Sequence, residues 1–315
     1  MRFLTGDDVR ALVAPGDLIA AMREAFIAYA SGRSPRPERM DCYVDGGEFH
    51  VKGGLADGCY VVKANSAFFG NPPERPAIQG VLVAYDAQTG EPLAVLESSS
   101  VTALRTAATT AAAADVLAVG DATVLGLVGA GAQAFAHAQA LLCVRELTQV
   151  NVWSRSDATA GAFVMRLRNE LGVDAQAVST PASAVADAHI VVTSTPSTTP
   201  LIGDRHVGPG TFLAAVGADS PHKQELSVEL VAKALLVCDL VSQCLAAGEL
   251  HHAVAAGVMT GQDVRAELGQ VLLDTGLGRQ SADDVVVFDS TGTGFQDAAA
   301  AAHVLSVGAA GHGGT

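Results

Sequence analysis

The chain has 315 residues, 49% of them hydrophobic and 17% charged, which allows one large core or two and excludes wholesale disorder. Lysine and arginine number 19 against 33 acids, a net charge of −14, and aromatics are only 5%. A field of that sign repels phosphate backbones and few rings remain for base stacking, so a nucleic-acid role is excluded.

In chain order, the start carries Asp7 and Asp8 and lacks the basic, apolar pattern of a signal peptide. Helical spacing covers Asp7–Val13 and Asp17–Ala30, with Leu18, Met22, Phe26 and Tyr29 on one face. Short apolar runs follow at Met40–Val44, Phe49–Val51, Tyr60–Lys63, Gly80–Tyr85 and Pro92–Leu96. Asp45-Gly46-Gly47, Asp57-Gly58 and Gln88-Thr89-Gly90 separate them, which predicts antiparallel hairpins. Val101–Ala118 is alanine-rich and reads as one long helix. A first domain of this kind is too thin to hide both faces of its sheet, so a homodimer is expected.

From Ala122 the texture changes to alternation: strand Thr123–Val128, helix Ala134–Arg145, strand Val150–Trp153, then a helix from Ala158 to Leu171. Strands Ile190–Ser194, Thr211–Val216 and Val285–Asp289 follow, and Asp297–Leu305 reads as a helix before a frayed tail, GAAGHGGT. Strand and helix taking turns predicts an α/β fold, a Rossmann-type doubly wound parallel sheet. No run of about 18 apolar residues spans a membrane. The five cysteines, Cys42, Cys59, Cys143, Cys238 and Cys244, fit neither a zinc pattern nor a disulfide framework; reduced, mostly buried thiols in a cytoplasmic protein are expected.

Gly129-Ala130-Gly131-Ala132-Gln133-Ala134 follows a strand and opens a helix. The first glycine permits a tight turn, the second lets backbone approach a pyrophosphate, and small Ala134 allows close helix–strand packing. Exposed amides at the helix start then bind the anion. The bland alternative is a tight turn, but the strand–loop–helix context favours nucleotide binding. An NAD enzyme carries an acid at the end of the second strand. Here that end is Trp153-Ser154-Arg155-Ser156, which suits a 2′-phosphate and favours NADP over NAD; the alternative for Arg155 is a solvated strand end. Thr193, Ser194 and Thr195 close the next strand, beside a nicotinamide or simply as polar strand-end residues.

Several segments resemble the ornithine cyclodeaminase/mu-crystallin family, in the family's order from about residue 35 to 305: VVKANSAFFGN, VTALRTAATTAAAADVLA, GAGAQAFAHAQAL, TSTPSTTPLI, VGADSPHKQEL and STGTGFQDAAAA. The resemblance implies a substrate-binding and dimerisation α+β domain from residues 1–118 and 297–315, around an NAD(P)-binding domain at 119–296. It also implies that Arg39, Lys63 and Arg105 hold a substrate carboxylate and that Asp219 serves the substrate amine or an attacking water. Residue chemistry agrees, because a charge on an apolar helix (Arg105) or strand (Lys63) is costly without a partner. The alternative for Arg105 is a solvated face or a structural ion pair, Asp219 alone could equally be a turn-former, and Arg33 or Arg36 could be confused with Arg39. Lys63, near other cations, is expected to have a lowered pKa and to act as proton donor. Truncating Lys63 or Arg105 is expected to remove activity while leaving stability nearly unchanged. No metal site is expected: His251-His252 lack a carboxylate at ligand spacing, and His137 reads as a packing residue.

The function implied is hydride transfer between NAD(P) and the Cα–N bond of an amino or imino acid, chiefly reduction of a cyclic imino acid. Ornithine cyclodeaminase and alanine-dehydrogenase-like activity are the alternatives; a non-catalytic nucleotide-binding protein is the alternative of another class. The family's cyclodeaminases place a glutamate in the hairpin before the substrate lysine. In Phe49-His50-Val51-Lys52-Gly53-Gly54 no glutamate is in clear register, although Glu48 is near. That absence argues against recognition of ornithine's distal ammonium.

Overall fold

A computed structural model describes residues 1–72 and 74–310, so most of the tail read as frayed lies outside the described residues. The chain forms two compact units, Met1–Thr109 with the chain from Thr293 on, and Thr110–Gly292. The division falls within the alanine-rich helix rather than at residue 118. The second half of that helix is tied to the second unit by Thr110 on His137, at 3.0 Å. Arg145 on Asp115 and Arg279 on the Leu117 carbonyl hold it further. The other boundary falls at Thr293 rather than 297, because the last helix already begins at Gly294.

The first unit contains β1 (Arg2–Leu4), α1 (Gly6–Leu12), α2 (Pro15–Ala30), β2 (Glu38–Val44), β3 (Gly47–Ala56), β4 (Cys59–Ala67), β5 (Ile78–Asp86) and β6 (Pro92–Glu97). The long helix α3 (Ser98–Leu117) follows. Its start lies ahead of Val101 because the Glu97 carboxylate accepts the Ser99 and Ser100 amides, at 2.8 Å each, and so caps it. Strand order is β1-β6-β5-β4-β3-β2; β1 pairs parallel with β6 and the remaining pairs are antiparallel. One sheet face packs under the last helix, which in turn packs against α2. Phe295 of the last helix meets Phe26 edge-on at 5.0 Å and stacks on Tyr29. Backbone contact here is so close that a Cβ on Gly54 would lie 2.1 Å from Gly294; only glycine fits. The opposite face carries exposed Met40, Val44, Phe49, Tyr60 and Val81.

The second unit runs β7 (Val124–Val128), α4 (Ala132–Leu141), β8 (Gln149–Trp153), α5 (Asp157–Leu171), β9 (Asp174–Ala177), α6 (Pro181–Val185), β10 (Ile190–Thr193) and β11 (Phe212–Ala215). It continues through α7 (Val228–Lys233), β12 (Leu235–Cys238), α8 (Val241–Cys244), α9 (Glu249–Ala255), β13 (Ala266–Glu267), α10 (Leu268–Leu273) and β14 (Val286–Asp289); α11 (Gly294–Ala310) closes the first unit. The sheet is wholly parallel, in the order β13-β12-β14-β11-β10-β7-β8-β9. Fully buried runs such as Ile190–Thr193 and Phe212–Ala215 suit it, since both faces are covered.

Three cysteines are buried, whereas Cys42 and Cys143 are exposed, and none is in a disulfide. Cys238, Cys244 and Asp289 bring ligand-type atoms within 4.8 Å of one another, a convergence that sequence spacing did not reveal. Burial pushes the Cys244 thiol well above its ordinary range, which disfavours a thiolate ligand there. His251 and His252 bond to the carbonyls of Leu245 and Lys223, and His137 is buried. No helix among the described residues is long and apolar enough to cross a membrane.

Candidate functional site

In the first unit, antiparallel register sets Arg39 opposite Lys52 and Lys52 opposite Lys63, a row of cations across β2, β3 and β4. Lys52 and Lys63 are buried beneath the helices. Like charges opposite one another repel, so anions must interleave. Asp41 receives Arg39 Nε at 2.8 Å and His50 Nδ1 at 2.6 Å. Glu48 lies 3.3 Å from His50 Nε2. Arg33 and Arg36 are exposed in the preceding segment, whereas Arg39 lies in the row of cations.

The central anion is Asp297, in the first turn of α11 and fully buried. It accepts Lys63 Nζ at 2.7 Å and Arg105 Nε at 2.9 Å. Gln296 Oε1 accepts Arg105 Nη1 at 2.7 Å, leaving Nη2 without a protein partner among the described residues. Lys63 also donates to Thr102, one turn before Arg105 on α3. Burial acts to raise the Asp297 pKa, but Lys63, Arg105 and Lys52 overcome it and hold the carboxyl below its ordinary range. One expectation therefore changes. A fixed carboxylate lies against Lys63. Truncating Lys63 or Arg105 would not spare stability, because Asp297 would lose a partner in a dry interior.

Lys52, Gln296 and Asp297 were missed by sequence reasoning. Lys52 alternates with His50, which could have placed it on the same face. Gln296 and Asp297 lie in STGTGFQD, a segment that carries the family resemblance. Glu48 shares the face of His50 and Lys52 and is buried, so the hairpin does offer a carboxylate there.

In the second unit, a cavity of about 440 Å³ is lined by Gly129, Gly131, Ser154, Arg155, Ser194 and Thr195, among others. Gly129 has φ +119° and sits so close to Ser194 that a Cβ would lie 3.0 Å from its carbonyl oxygen. Gly131 begins α4 without a side-chain cap, and space beside it is open; amides at such a helix start accept an anion. Ala132 and Gln133 form the first turn behind it. Ser194 Oγ is buried and has no hydrogen-bond partner among the described residues. The exposed Arg155 guanidinium makes no ion pair or hydrogen bond among them. Ser156 instead caps α5, accepting the Thr159 amide. Thr193 is fully buried, with its hydroxyl donated to Glu225. Those two side chains are committed to the scaffold.

Asp219 lies in the loop after β11 and pairs with Lys223 at 2.7 Å, half-exposed. Glu225 is fully buried and accepts hydrogen bonds from Thr193, Thr195 and Gly217. Sequence reasoning singled out neither Lys223 nor Glu225.

Solved structures that resemble the whole chain include the following three. An archaeal alanine dehydrogenase dimer with bound NAD is 32% identical, with TM-score 0.93, covering 99% of this chain and 97% of that one. The Thermococcus litoralis Δ1-pyrroline-2-carboxylate reductase in complex with NADH and L-proline is 25% identical, with TM-score 0.94 over 99% and 98%. The iminosuccinate reductase of Paracoccus denitrificans in complex with NAD⁺ is 30% identical, with TM-score 0.89 over 99% and 97%. The sequence profile of one family matches residues 2–308, and the chain belongs to it: the ornithine cyclodeaminase/mu-crystallin family.

Proposed function

We propose that this protein is an NAD(P)H-dependent reductase of imino acids, cyclic or formed from a keto acid, in which Lys63 and Arg105 hold the substrate carboxylate. The observation that carries the reading is the open Nη2 of Arg105, on a guanidinium fixed at its other nitrogens by Asp297 and Gln296. A guanidinium anchored in this way is pre-organised for a carboxylate. On this face Arg39, Lys52, Lys63 and Arg105 meet the carboxylates of Asp41, Glu48 and Asp297, an excess of positive charge that suits a monoanionic acid. The reductases of pyrroline-2-carboxylate and iminosuccinate among the structural relatives support the choice of substrate class.

The cavity of the second unit fits a dinucleotide. Gly129, Gly131 and the first amides of α4 would hold the pyrophosphate, with Ala132 and Gln133 in that turn. Ser194 and Thr195 would flank the nicotinamide, which when bound supplies the hydride taken up by the carbon of the C=N bond. Lys63, paired with Asp297, would bind the carboxylate and offer a proton to the nitrogen. Asp219, steadied by Lys223, would serve the substrate amine. Ser154 and the unpaired Arg155 would take the 2′-phosphate, so NADPH is preferred to NADH. The outer sheet face that exposes Phe49, Tyr60 and Val81 would be covered by a second copy, as the dimeric alanine dehydrogenase suggests.

Glu48 supports a second reading. A buried hairpin carboxylate could receive the distal ammonium of a basic amino acid, giving a cyclodeaminase. Assaying cyclic imines, keto acids with amines, alanine and basic amino acids with NADH and NADPH separates these reactions. Nicotinamide binding without turnover on any of them would leave a non-catalytic binding protein.

Three outcomes are expected. Lys63→Ala and Arg105→Ala each lose on the order of 2–5 kcal/mol of transition-state binding in imine-reduction kinetics per folded molecule. Both lower the melting temperature, and neither weakens nucleotide binding; normal turnover in either removes that residue from the proposed site. Arg155→Ala raises the apparent constant for NADPH far more than that for NADH, an outcome reversed if the wild type prefers NADH. Light scattering at micromolar concentration gives a dimer, and a monomer contradicts the proposed sheet-face contact.

A further inference from the structure

We propose that Glu225 is a positioning residue that fastens the strand-end wall of the nucleotide cavity to the Asp219 loop, so that cofactor affinity depends on its carboxylate. The inference rests on reading the cavity as the nucleotide site.

Glu225 holds that wall at both ends. Its Oε1 accepts the Thr195 amide at 2.6 Å and the Thr195 hydroxyl at 2.7 Å. Its Oε2 accepts the Thr193 hydroxyl at 2.7 Å and the Gly217 amide at 2.9 Å. The backbone carbonyl of the same residue accepts the amides of Leu201 and Ile202, at 2.7 and 3.1 Å, where the wall ends. Between these ends, Gln224 N donates to the Ser197 carbonyl at 2.8 Å. One residue thus ties together the turn after β10 and the turn after β11. Gly217 permits the approach: a Cβ there would lie 2.4 Å from Glu225 Oε2 and from the Thr195 carbonyl oxygen.

The four inbound donors favour an ionised acid. Two of the four donors are backbone N–H groups, which cannot reverse their role, whereas the threonine hydroxyls can rotate. A proton on the carboxyl forces a threonine hydroxyl to turn and accept it, with one inbound hydrogen bond lost. An amide NH₂ in its place sets a donor against the Thr195 or Gly217 N–H in a dry interior. Burial pushes Glu225 up to about 7, with the threonine and Gly217 hydrogen bonds opposing that rise. The groups around it are named by the packing. Glu249 of α9 accepts the Glu225 amide, and its own pKa is raised well above the ordinary value by burial and then by Asp289 and Glu225. Asp289 of β14 is itself raised to about 7 by burial. His252 of α9 contacts the Lys223 carbonyl, and the Lys223–Asp219 pair occupies the same loop.

The test uses the single tryptophan, Trp153, which lines the cavity. NADH, which lacks a titrating 2′-phosphate, is titrated by fluorescence quenching against wild type, Glu225→Gln and Thr193→Val between pH 6 and pH 8. The expected result is a wild-type dissociation constant that rises as pH falls through about 7. Glu225→Gln should bind about tenfold more weakly at pH 8, with little pH dependence remaining. Because Asp289 is retained in that variant, loss of the pH dependence assigns it to Glu225. If Glu225→Gln does not fold, Thr193→Val carries the test, with a smaller loss in the same direction expected. Wild-type affinity in Glu225→Gln at pH 8, a pH-independent wild type, or an unchanged Thr193→Val where it stands alone overturns the proposal. A wild type that binds neither NADH nor NADPH overturns the cavity assignment and this inference with it.

Discussion

The arrangement of the first unit depends on one buried carboxylate. Asp297 lies between Lys63 and Arg105 without exposure to solvent. Two cations that must lose their hydration to meet a substrate anion are intolerable in an empty dry interior unless a fixed charge balances part of them. One carboxylate shared by two cations balances part but not all, and the remaining positive charge is what an incoming acid would find. Gln296 completes the orientation of the guanidinium by fixing Nη1. Asp297 can reach both partners because α11 begins at Gly294, where glycines at 54 and 294 bring the helix start against β3.

The second unit meets a comparable constraint with fewer cations. Glu225, Glu249, Asp239 and Asp289 are all buried there. Their charge is met by amide donors and, where those fall short, by raised proton affinity, as for Glu225 and Asp289 at about 7. For these raised acids the native state binds more protons than the unfolded chain. Their contribution to stability therefore worsens as pH climbs from the ordinary carboxylate range through about 7. Asp297 has the opposite sign: its lowered pKa makes its contribution present above the ordinary carboxylate value and lost on acidification.

Features set by local sequence were legible. The glycine loop, the alternating strands and helices, and the absence of an acid after Trp153 all follow from residues within a few positions of one another. Lys63 and Arg105 were legible as charges on apolar elements, but their partner was not. Asp297 is 192 residues from Arg105, and an acid in the first turn of a helix has an ordinary local explanation. The extent of β3 was underestimated because Lys52, Gly53 and Gly54 are poor strand formers, tolerated where tertiary contacts demand them. The short elements from α7 to α10, with β12 and β13, were also unread. Pieces of two to seven residues carry no periodicity that stands out.

A crystal structure with NADPH and a planar carboxylate inhibitor such as pyrrole-2-carboxylate tests the central claim most directly. The account predicts the inhibitor carboxylate on Arg105 Nη2 and Lys63 Nζ, with Asp297 still bound to Arg105 Nε. A carboxylate bound elsewhere, or an Arg105 that must leave Asp297 to reach it, would contradict a pre-organised clamp.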